Sequence, residues 1–148
     1  MTERIQPDRR ADYRHFDSIS TRWMDNDAYL HVNNVVYYSF FDTAVTRLLI
    51  HRGGLDPAAS PAVGLVVESQ CRYFSSIAFP DIVHAGLRVG HLGTSSVRYE
   101  LALFRNDEDL AAAQGHFVHV YVDRVTNRPT PIGESLRQML DGLRHAQR

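Results

Sequence analysis

The chain has 148 residues, of which 44% are hydrophobic and 22% charged; this is typical of one globular domain with a packed core and excludes extensive disorder. A formal net charge of -1 gives no electrostatic basis for a nucleic-acid or membrane partner. Cys71 is the single cysteine, which excludes an intramolecular disulfide and favours a reducing compartment. Without an apolar leader or a run of ~20 apolar residues, the protein is expected in the cytoplasm.

The predicted elements begin with a polar segment over residues 1–12, which is expected to be frayed. A strand is predicted over residues 13–23, with Trp23 on the same face as two earlier residues of the strand. Residues 25–33 are prone to turns. Residues 34–51 carry apolar residues at helix spacing, so a long helix buried on most sides is predicted there.

Four strand-like runs follow, over residues 63–75, 82–92, 95–105 and 111–123, with turn residues between them. A short amphipathic helix is outlined at the C-terminal end by Leu136, Met139, Leu140 and Leu143. Strands segregated from one long helix indicate an α+β fold, an antiparallel five-stranded sheet curled around that helix. The sequence therefore predicts a single domain over residues 1–148.

The candidate site lies where Asp25 and Asp27 precede Asn33 and Asn34, the pair that opens the long helix. The first N–H groups of a helix lack intrahelical acceptors and carry partial positive charge, so they can stabilise an anion or an oxyanion. A carboxylate beside them is ionised at neutral pH and can act as nucleophile or base. The same residues also allow plainer roles, because Asp favours turns and Asn caps helices.

A metal site made of Asp25, Asp27 and His31 is the rival interpretation, since carboxylate and imidazole ligands suit several divalent ions. Three ligands on one loop support it weakly, and neither a metal nor a cofactor is predicted. Cys71 lies in an apolar run without a base beside it and is interpreted as a core residue. Asp42 is expected to pair with Arg47.

The run RWMDNDAYLHVNNVVY, from Arg22 to Tyr37, resembles the signature of hotdog-fold acyl-CoA thioesterases of the 4-hydroxybenzoyl-CoA thioesterase type. Residues 93–97 and 118–124 are similar to the third and closing strands of that family. The resemblance implies a hotdog fold that hydrolyses acyl-CoA to free acid and CoA.

In the resembled family, a carboxylate in the loop before the helix attacks the thioester carbonyl or activates water, and Asp27 occupies that place. The resemblance assigns the oxyanion-hole amide to Asn34 and a role in orienting the loop to His31. It also implies four substrate-binding residues: Asn33, Tyr37, Ser95 and Ser96. The two serines would act from the neighbouring subunit, because the family's sites lie between subunits.

A long curved sheet exposes strand edges and an apolar face when alone, so a homodimer or homotetramer is expected. Candidates for contacts with the phosphates of CoA are Arg88, Arg98, Arg105, Arg124 and Arg128, which the sequence does not rank. Three other functions on the same fold stay open: a non-catalytic protein that binds acyl-CoA or acyl carrier protein conjugates, an acyl carrier protein thioesterase, and a hydratase. The sequence does not identify the acyl group.

Overall fold

The computed structural model describes residues 4–145. Five strands, β1 (His15–Ser20), β2 (Ala62–Tyr73), β3 (Ile82–Leu92), β4 (Ser96–Arg105) and β5 (Ala113–Asp123), form one antiparallel sheet in the order β1-β3-β4-β5-β2. The two α-helices are α1 (Val36–His51) and α2 (Glu134–Asp141). This confirms the predicted hotdog architecture. Among the described residues, no helix has the length and apolar character that a membrane crossing needs.

The hydrophobic core lies between α1 and one face of the sheet. The buried face of α1 consists of Tyr37, Phe40, Phe41, Ala44, Val45, Leu48 and Leu49. It packs with the alternate residues of β4 that the sequence pattern identified, which are Val97, Tyr99, Leu101 and Leu103. The prediction that this helix is buried on most sides is wrong, because the sheet covers one face of α1 and leaves the opposite face open. The exposed residues on that face include Ser39, Asp42, Arg47 and Ile50.

β1 ends at Ser20, so the predicted extension to Trp23 is wrong. Residues 23–25 form a short 3-10 helix, whose start is held by Asp25 because its Oδ2 accepts the backbone N–H of Arg22 at 2.7 Å. The Trp23 side chain is 66% exposed, and its ring centroid lies 6.1 Å from that of Phe79. The side chain of Asp25 thus turns the chain away before Trp23 can join the sheet.

The N-terminal segment, which was expected to be frayed, is attached to β5 from Gln6 onward, where the side-chain amide of Gln114 donates to the carbonyl of Gln6, while residues 1–3 lie outside those described. The N–H of Asp8 donates to Oε1 of Gln114 at 2.7 Å. The hydroxyl of Tyr13 donates to Oδ2 of Asp8 at 2.7 Å. These contacts with distant parts of the chain order a segment whose local composition is polar.

β2 is an edge strand that pairs with β5 alone, with a bulge between Val66 and Glu68. Leu65, Val66 and Val67 are all exposed on it. Among residues 4–145 no strand pairs with the outer edge of β2, so that edge presents apolar side chains together with unpaired backbone groups.

We expect Gly115→Ala to lower the free energy of unfolding by about 3 kcal/mol, the upper end of the usual cost of overpacking. The reason is that a Cβ at Gly115 would lie 1.9 Å from the carbonyl oxygen of Gln70 on β2. Urea denaturation measures the change. Gly142→Ala is the control, because a Cβ at Gly142 would meet nothing closer than 3.4 Å. Equal stability of the two variants would contradict the close approach of β5 to β2.

Candidate active site

The segment before α1 folds into a β-hairpin over residues 25–33, which we call the site hairpin. Asn26 and Val32 pair as an antiparallel bridge. Next to this bridge, the N–H of Asp27 donates to the carbonyl of His31 at 2.8 Å. The three residues between Asp27 and His31 therefore form the loop of the hairpin.

Two further backbone hydrogen bonds hold the site hairpin in place. The N–H of Asn33 donates to the carbonyl of Asp25 at 2.9 Å. The N–H of Val32 donates to the carbonyl of Ile77 at 2.7 Å, and Ile77 is fully buried in the core. The hairpin is thus attached to the segment that follows β2 and has a fixed position relative to the sheet.

The carboxylate of Asp27 closes the turn of the hairpin with one oxygen and leaves the other free. Oδ1 accepts the N–H of Tyr29 at 2.8 Å and lies 3.5 Å from the N–H of His31. No residue in the described part of the chain donates to Oδ2, and the side chain is half-buried. Turn formation and chemistry are therefore compatible roles for this one side chain.

The two asparagines at the helix start take different positions. Oδ1 of Asn33 accepts the N–H of Val35 at 3.2 Å, and its carbonyl accepts the N–H of Val36 at 2.9 Å. The helix was predicted to begin at residue 34. Because residues 34 and 35 form a turn, α1 begins at Val36 instead. The N–H of Asn34 has no acceptor among residues 4–145, so it is a free amide at the positive end of α1.

A cleft of about 300 Å³ opens beside this amide, and it is lined by His31, Val32, Asn34, Tyr37, Tyr73, Phe74, Ser75 and Ser76. The hydroxyl of Tyr73 donates to the carbonyl of Asn34 at 2.9 Å. Burial raises the pKa of Tyr37, with a smaller contribution from the negative charge of Asp27. The phenol of Tyr37 therefore stays protonated at neutral pH, and the charge of Asp27 acts on the wall of the cleft.

His31 contacts Asp27 through its backbone, since its carbonyl accepts the N–H of Asp27. Its imidazole is exposed and forms no hydrogen bond with any residue that the structure describes. Within this chain, the orientation of the site hairpin therefore depends on the main chain of His31 and not on its ring.

Ser95 and Ser96 lie at the end of the sheet opposite the cleft. Ser96 pairs with Val120 of β5, whereas Tyr73 of the cleft pairs with Ala113. From Ala113 to Val120, β5 extends roughly 23 Å at ~3.3 Å per residue. A single chain therefore does not bring these serines to the cleft.

Asp25, one of the three ligands of the rival metal site, is already engaged within the chain. Asp25 is buried, and its Oδ1 accepts a hydrogen bond from the guanidinium of Arg22 at 2.8 Å. Among residues 4–145 no three His, Cys, Asp or Glu side chains are grouped to hold a metal ion. Asp25 instead shapes the entry to the site hairpin.

The structure separates the arginines considered for the phosphates of CoA. Four of the five are held within the chain: Arg88 and Arg98 by Glu100, Arg105 by Glu108, and Arg124 by the carbonyls of Pro57 and Ser60. The guanidinium of Arg128 has no acceptor among the described residues. Arg47 pairs with Asp17 at 3.2 Å and not with Asp42, because it extends from α1 toward β1.

Two residues of this region, Tyr73 and Leu30, were not predicted from the sequence. Tyr73 comes from the end of β2, and only the folded sheet brings it to Asn34. Leu30 has a φ of 63°, a left-handed conformation that costs a non-glycine residue ~1–2 kcal/mol. The spacing of Asp27 and His31 carried a signal for this strain, since a three-residue hairpin loop calls for glycine at its last position.

Cys71 is half-buried on β2 and packs against the core. Burial raises the pKa of its thiol to about 11, so the thiol is protonated at neutral pH. A protonated thiol is a poor nucleophile, in agreement with the interpretation of Cys71 as a core residue.

The comparisons with known proteins agree with the observed fold. A family model described as the thioesterase-like superfamily matches residues 21–140. The PA5185 protein from Pseudomonas aeruginosa is 53% identical, with a TM-score of 0.93 and coverage of 96% of this chain and 99% of that chain. The PA2801 protein from the same organism, named as a candidate thioesterase, is 31% identical with a TM-score of 0.79 over 84% of this chain and 96% of that one.

A more distant likeness concerns the fold alone. The DHNA-CoA thioesterase from Staphylococcus aureus is 17% identical, with a TM-score of 0.74 over 86% of each chain. No curated protein matches the chain.

We expect Cys71 to be alkylated slowly. With a pKa of about 11, the thiol should react at pH 8 roughly 10²-fold slower than a free cysteine of pKa ~8.5. Below pH 11, the rate should rise about tenfold per pH unit while the protein stays folded. Mass spectrometry after timed treatment with iodoacetamide measures the rate, and the denatured chain is the control. A native rate equal to the denatured rate would show that the thiol is accessible and not desolvated.

Proposed function

Because the chain belongs to the thioesterase-like superfamily, we propose that it hydrolyses acyl-CoA thioesters to a free acid and CoA at the site hairpin. The observation that carries this proposal is that the site hairpin and the residue that follows it carry a carboxylate oxygen on Asp27 and an N–H on Asn34, neither of which has a hydrogen-bond partner among residues 4–145. The residues of the hairpin supply the chemistry without a cofactor. We assign the activity to the cytoplasm, where a single cysteine stays reduced.

The amide of Asn34 acts on the thioester oxygen. As the carbonyl carbon becomes tetrahedral, negative charge develops on this oxygen, and the N–H of Asn34 donates to it. One such donor is worth ~3 kcal/mol in the transition state. The partial positive charge at the start of α1 also stabilises the negative charge on this oxygen. The hydroxyl of Tyr73 donates to the carbonyl of Asn34 at 2.9 Å and so helps to fix the position of Asn34.

The free Oδ2 of Asp27 allows two routes. In one, it attacks the carbonyl carbon, the C–S bond breaks, and the mixed anhydride that results is hydrolysed by water. In the other, it accepts a proton from a water molecule that attacks the carbonyl directly. Thiols have pKa values of ~8.5, so the thiolate leaves without a strong general acid in either route. In single-turnover hydrolysis in ¹⁸O-labelled water, label found in Asp27 establishes the anhydride route, because water that attacks the Asp27 carbonyl of the anhydride leaves its oxygen there. Absence of label in Asp27 favours direct attack by water.

We further propose that the enzyme is a homo-oligomer, a dimer or tetramer, built on pairing of two β2 edges. Pairing about a two-fold axis is antiparallel, so the Ala62 end of β2 in one copy lies beside the Tyr73 end in the other. This arrangement moves the opposite end of the partner's sheet toward the cleft. Ser95 and Ser96 of the partner subunit would thereby approach the substrate, which a single chain does not permit.

We expect Asp27→Asn to lower kcat by roughly 10² to 10⁴-fold, the usual contribution of a positioned base. An asparagine Oδ1 still accepts the N–H of Tyr29, so the melting temperature should not change. Thiol release is measured with a panel of aryl, short-chain and long-chain acyl-CoAs, which also identifies the preferred acyl group. Asp123→Asn is the matched control, because Oδ1 of Asp123 accepts the N–H of Val125 at 2.9 Å in a turn of similar chemistry.

Two results would count against this assignment. An undiminished rate in Asp27→Asn would remove Asp27 from the mechanism. Tight binding of acyl-CoA by the wild-type protein without thiol release from any member of the panel would indicate a non-catalytic binding protein.

We expect Val67→Lys to dissociate the oligomer into monomers and to reduce thiol release, because a charged lysine on an open strand edge opposes pairing. Val67 lies in the β2 bulge and is 61% exposed, so the fold of the single chain should tolerate the change. Light scattering coupled to size-exclusion chromatography measures the mass. Val125→Lys is the control, since Val125 is 88% exposed in a turn after β5. An intact oligomer in Val67→Lys would rule out assembly through this edge.

A further inference from the structure

Leu30 has an unusual backbone conformation for its residue type. Its φ is 63°, in the left-handed region where the Cβ of an L-residue crowds the following carbonyl oxygen. The other described non-glycine residues with positive φ are Asn106 and Asn127. Asparagine tolerates this region, because its short polar side chain can bond locally. Leu30 is therefore the strained member of the three.

The site hairpin imposes this conformation. The N–H of Leu30 donates to the carbonyl of Asp27 at 3.1 Å, while the N–H of Asp27 donates to the carbonyl of His31 at 2.8 Å. This is the pattern of a three-residue hairpin loop, whose last residue adopts the left-handed conformation and is commonly glycine. Glycine at position 30 would satisfy the same hydrogen bonds without strain.

Within residues 4–145, the side chain of Leu30 is not packed into a hydrophobic cluster. Leu30 is 60% exposed and its neighbour Tyr29 is 82% exposed. Neither belongs to a hydrophobic cluster of the fold. Burial within residues 4–145 therefore does not compensate for the strain, and the exposed side chain is free to make an apolar contact with a molecule outside the described residues.

Position and chemistry indicate what that contact is. Leu30 lies between Asp27, which holds the free carboxylate oxygen, and His31, which lines the cleft. We propose that Leu30 is a specificity-determining residue whose side chain packs on the apolar acyl group of the bound thioester. An isobutyl side chain suits an alkyl or aryl acyl group better than it suits the polar amides of a pantetheine arm. The inference rests on the proposed thioesterase function and adds the residue that selects the acyl group.

Three variants of Leu30 separate side-chain contact from backbone strain. Leu30→Gly and Leu30→Asn both relieve the strain and should raise the melting temperature by roughly 2–5 °C for a domain of this size. Both should lower kcat/KM by roughly 10 to 100-fold for apolar acyl groups, the equivalent of losing the burial of one leucine side chain. Leu30→Met keeps the strain and the apolar contact, so it should recover most of that loss.

The acyl group provides the decisive comparison. With acetyl-CoA, which has little apolar surface, the loss in Leu30→Gly should be under about threefold. Equal losses for acetyl-CoA and for long or aryl acyl-CoAs would overturn the proposal, as would full activity of Leu30→Gly with every substrate. Asn127→Gly is the control, because it alters the same backbone conformation in a turn at the other end of this chain's sheet, and any effect that it has on kcat/KM should be the same for every acyl group.

Two further measurements distinguish this inference from its alternatives. If the wild-type protein releases no thiol, the proposed function fails, and titration calorimetry with an S-alkyl-CoA thioether still tests Leu30. Affinity roughly tenfold weaker in Leu30→Gly than in wild type supports the contact, and equal affinity overturns it. A change in oligomeric mass in Leu30→Gly would also overturn it, because Leu30 would then be a subunit contact.

Discussion

The hydrogen bond from the N–H of Asp27 to the carbonyl of His31, at 2.8 Å, closes the hairpin on which the rest of the site depends. It is a main-chain bond, so it sets the position of the loop whatever side chains the loop carries. The bond from Val32 to Ile77 then attaches the loop to the buried core. Through these two constraints, the stability of the sheet determines where a carboxylate and a helix-start amide lie.

The same constraint explains why the backbone is strained at one position of this fold. A tight hairpin requires a left-handed residue, and the turns at Asn106 and Asn127 meet that requirement with a tolerant residue type. The site hairpin meets it with Leu30, an exposed apolar residue that directly precedes His31 of the cleft. Backbone strain of this kind lowers local stability and persists only where the surrounding structure imposes it.

The strands and the long helix were predictable because their signal is local. The alternation in β4 and the helical spacing after Asn34 are each contained in a short window of sequence. The path of the chain at Trp23 was not predictable, because the carboxylate of Asp25 overrides the weak alternation of β1. The packing of the N-terminal segment depends on Gln114, which is remote in sequence, and a polar composition gives no sign of it.

The candidate site could be located from the sequence but not assembled. The residue pattern identified Asp27 and Asn34 as a carboxylate before a helix start. It gave no indication that Tyr73 holds the carbonyl of Asn34, since strand pairing alone brings them together. It also could not place Ser95 and Ser96 relative to the cleft, because the distance between them depends on sheet register.

The exposed position of Trp23 has a practical consequence. It is the sole tryptophan of the chain, and its indole lies against Phe79, whose N–H donates to Oδ1 of Asn26 at 3.1 Å. Intrinsic fluorescence excited at the indole band therefore originates beside the site hairpin and not in the core. Emission from this protein provides an unlabelled optical signal for events at the hairpin.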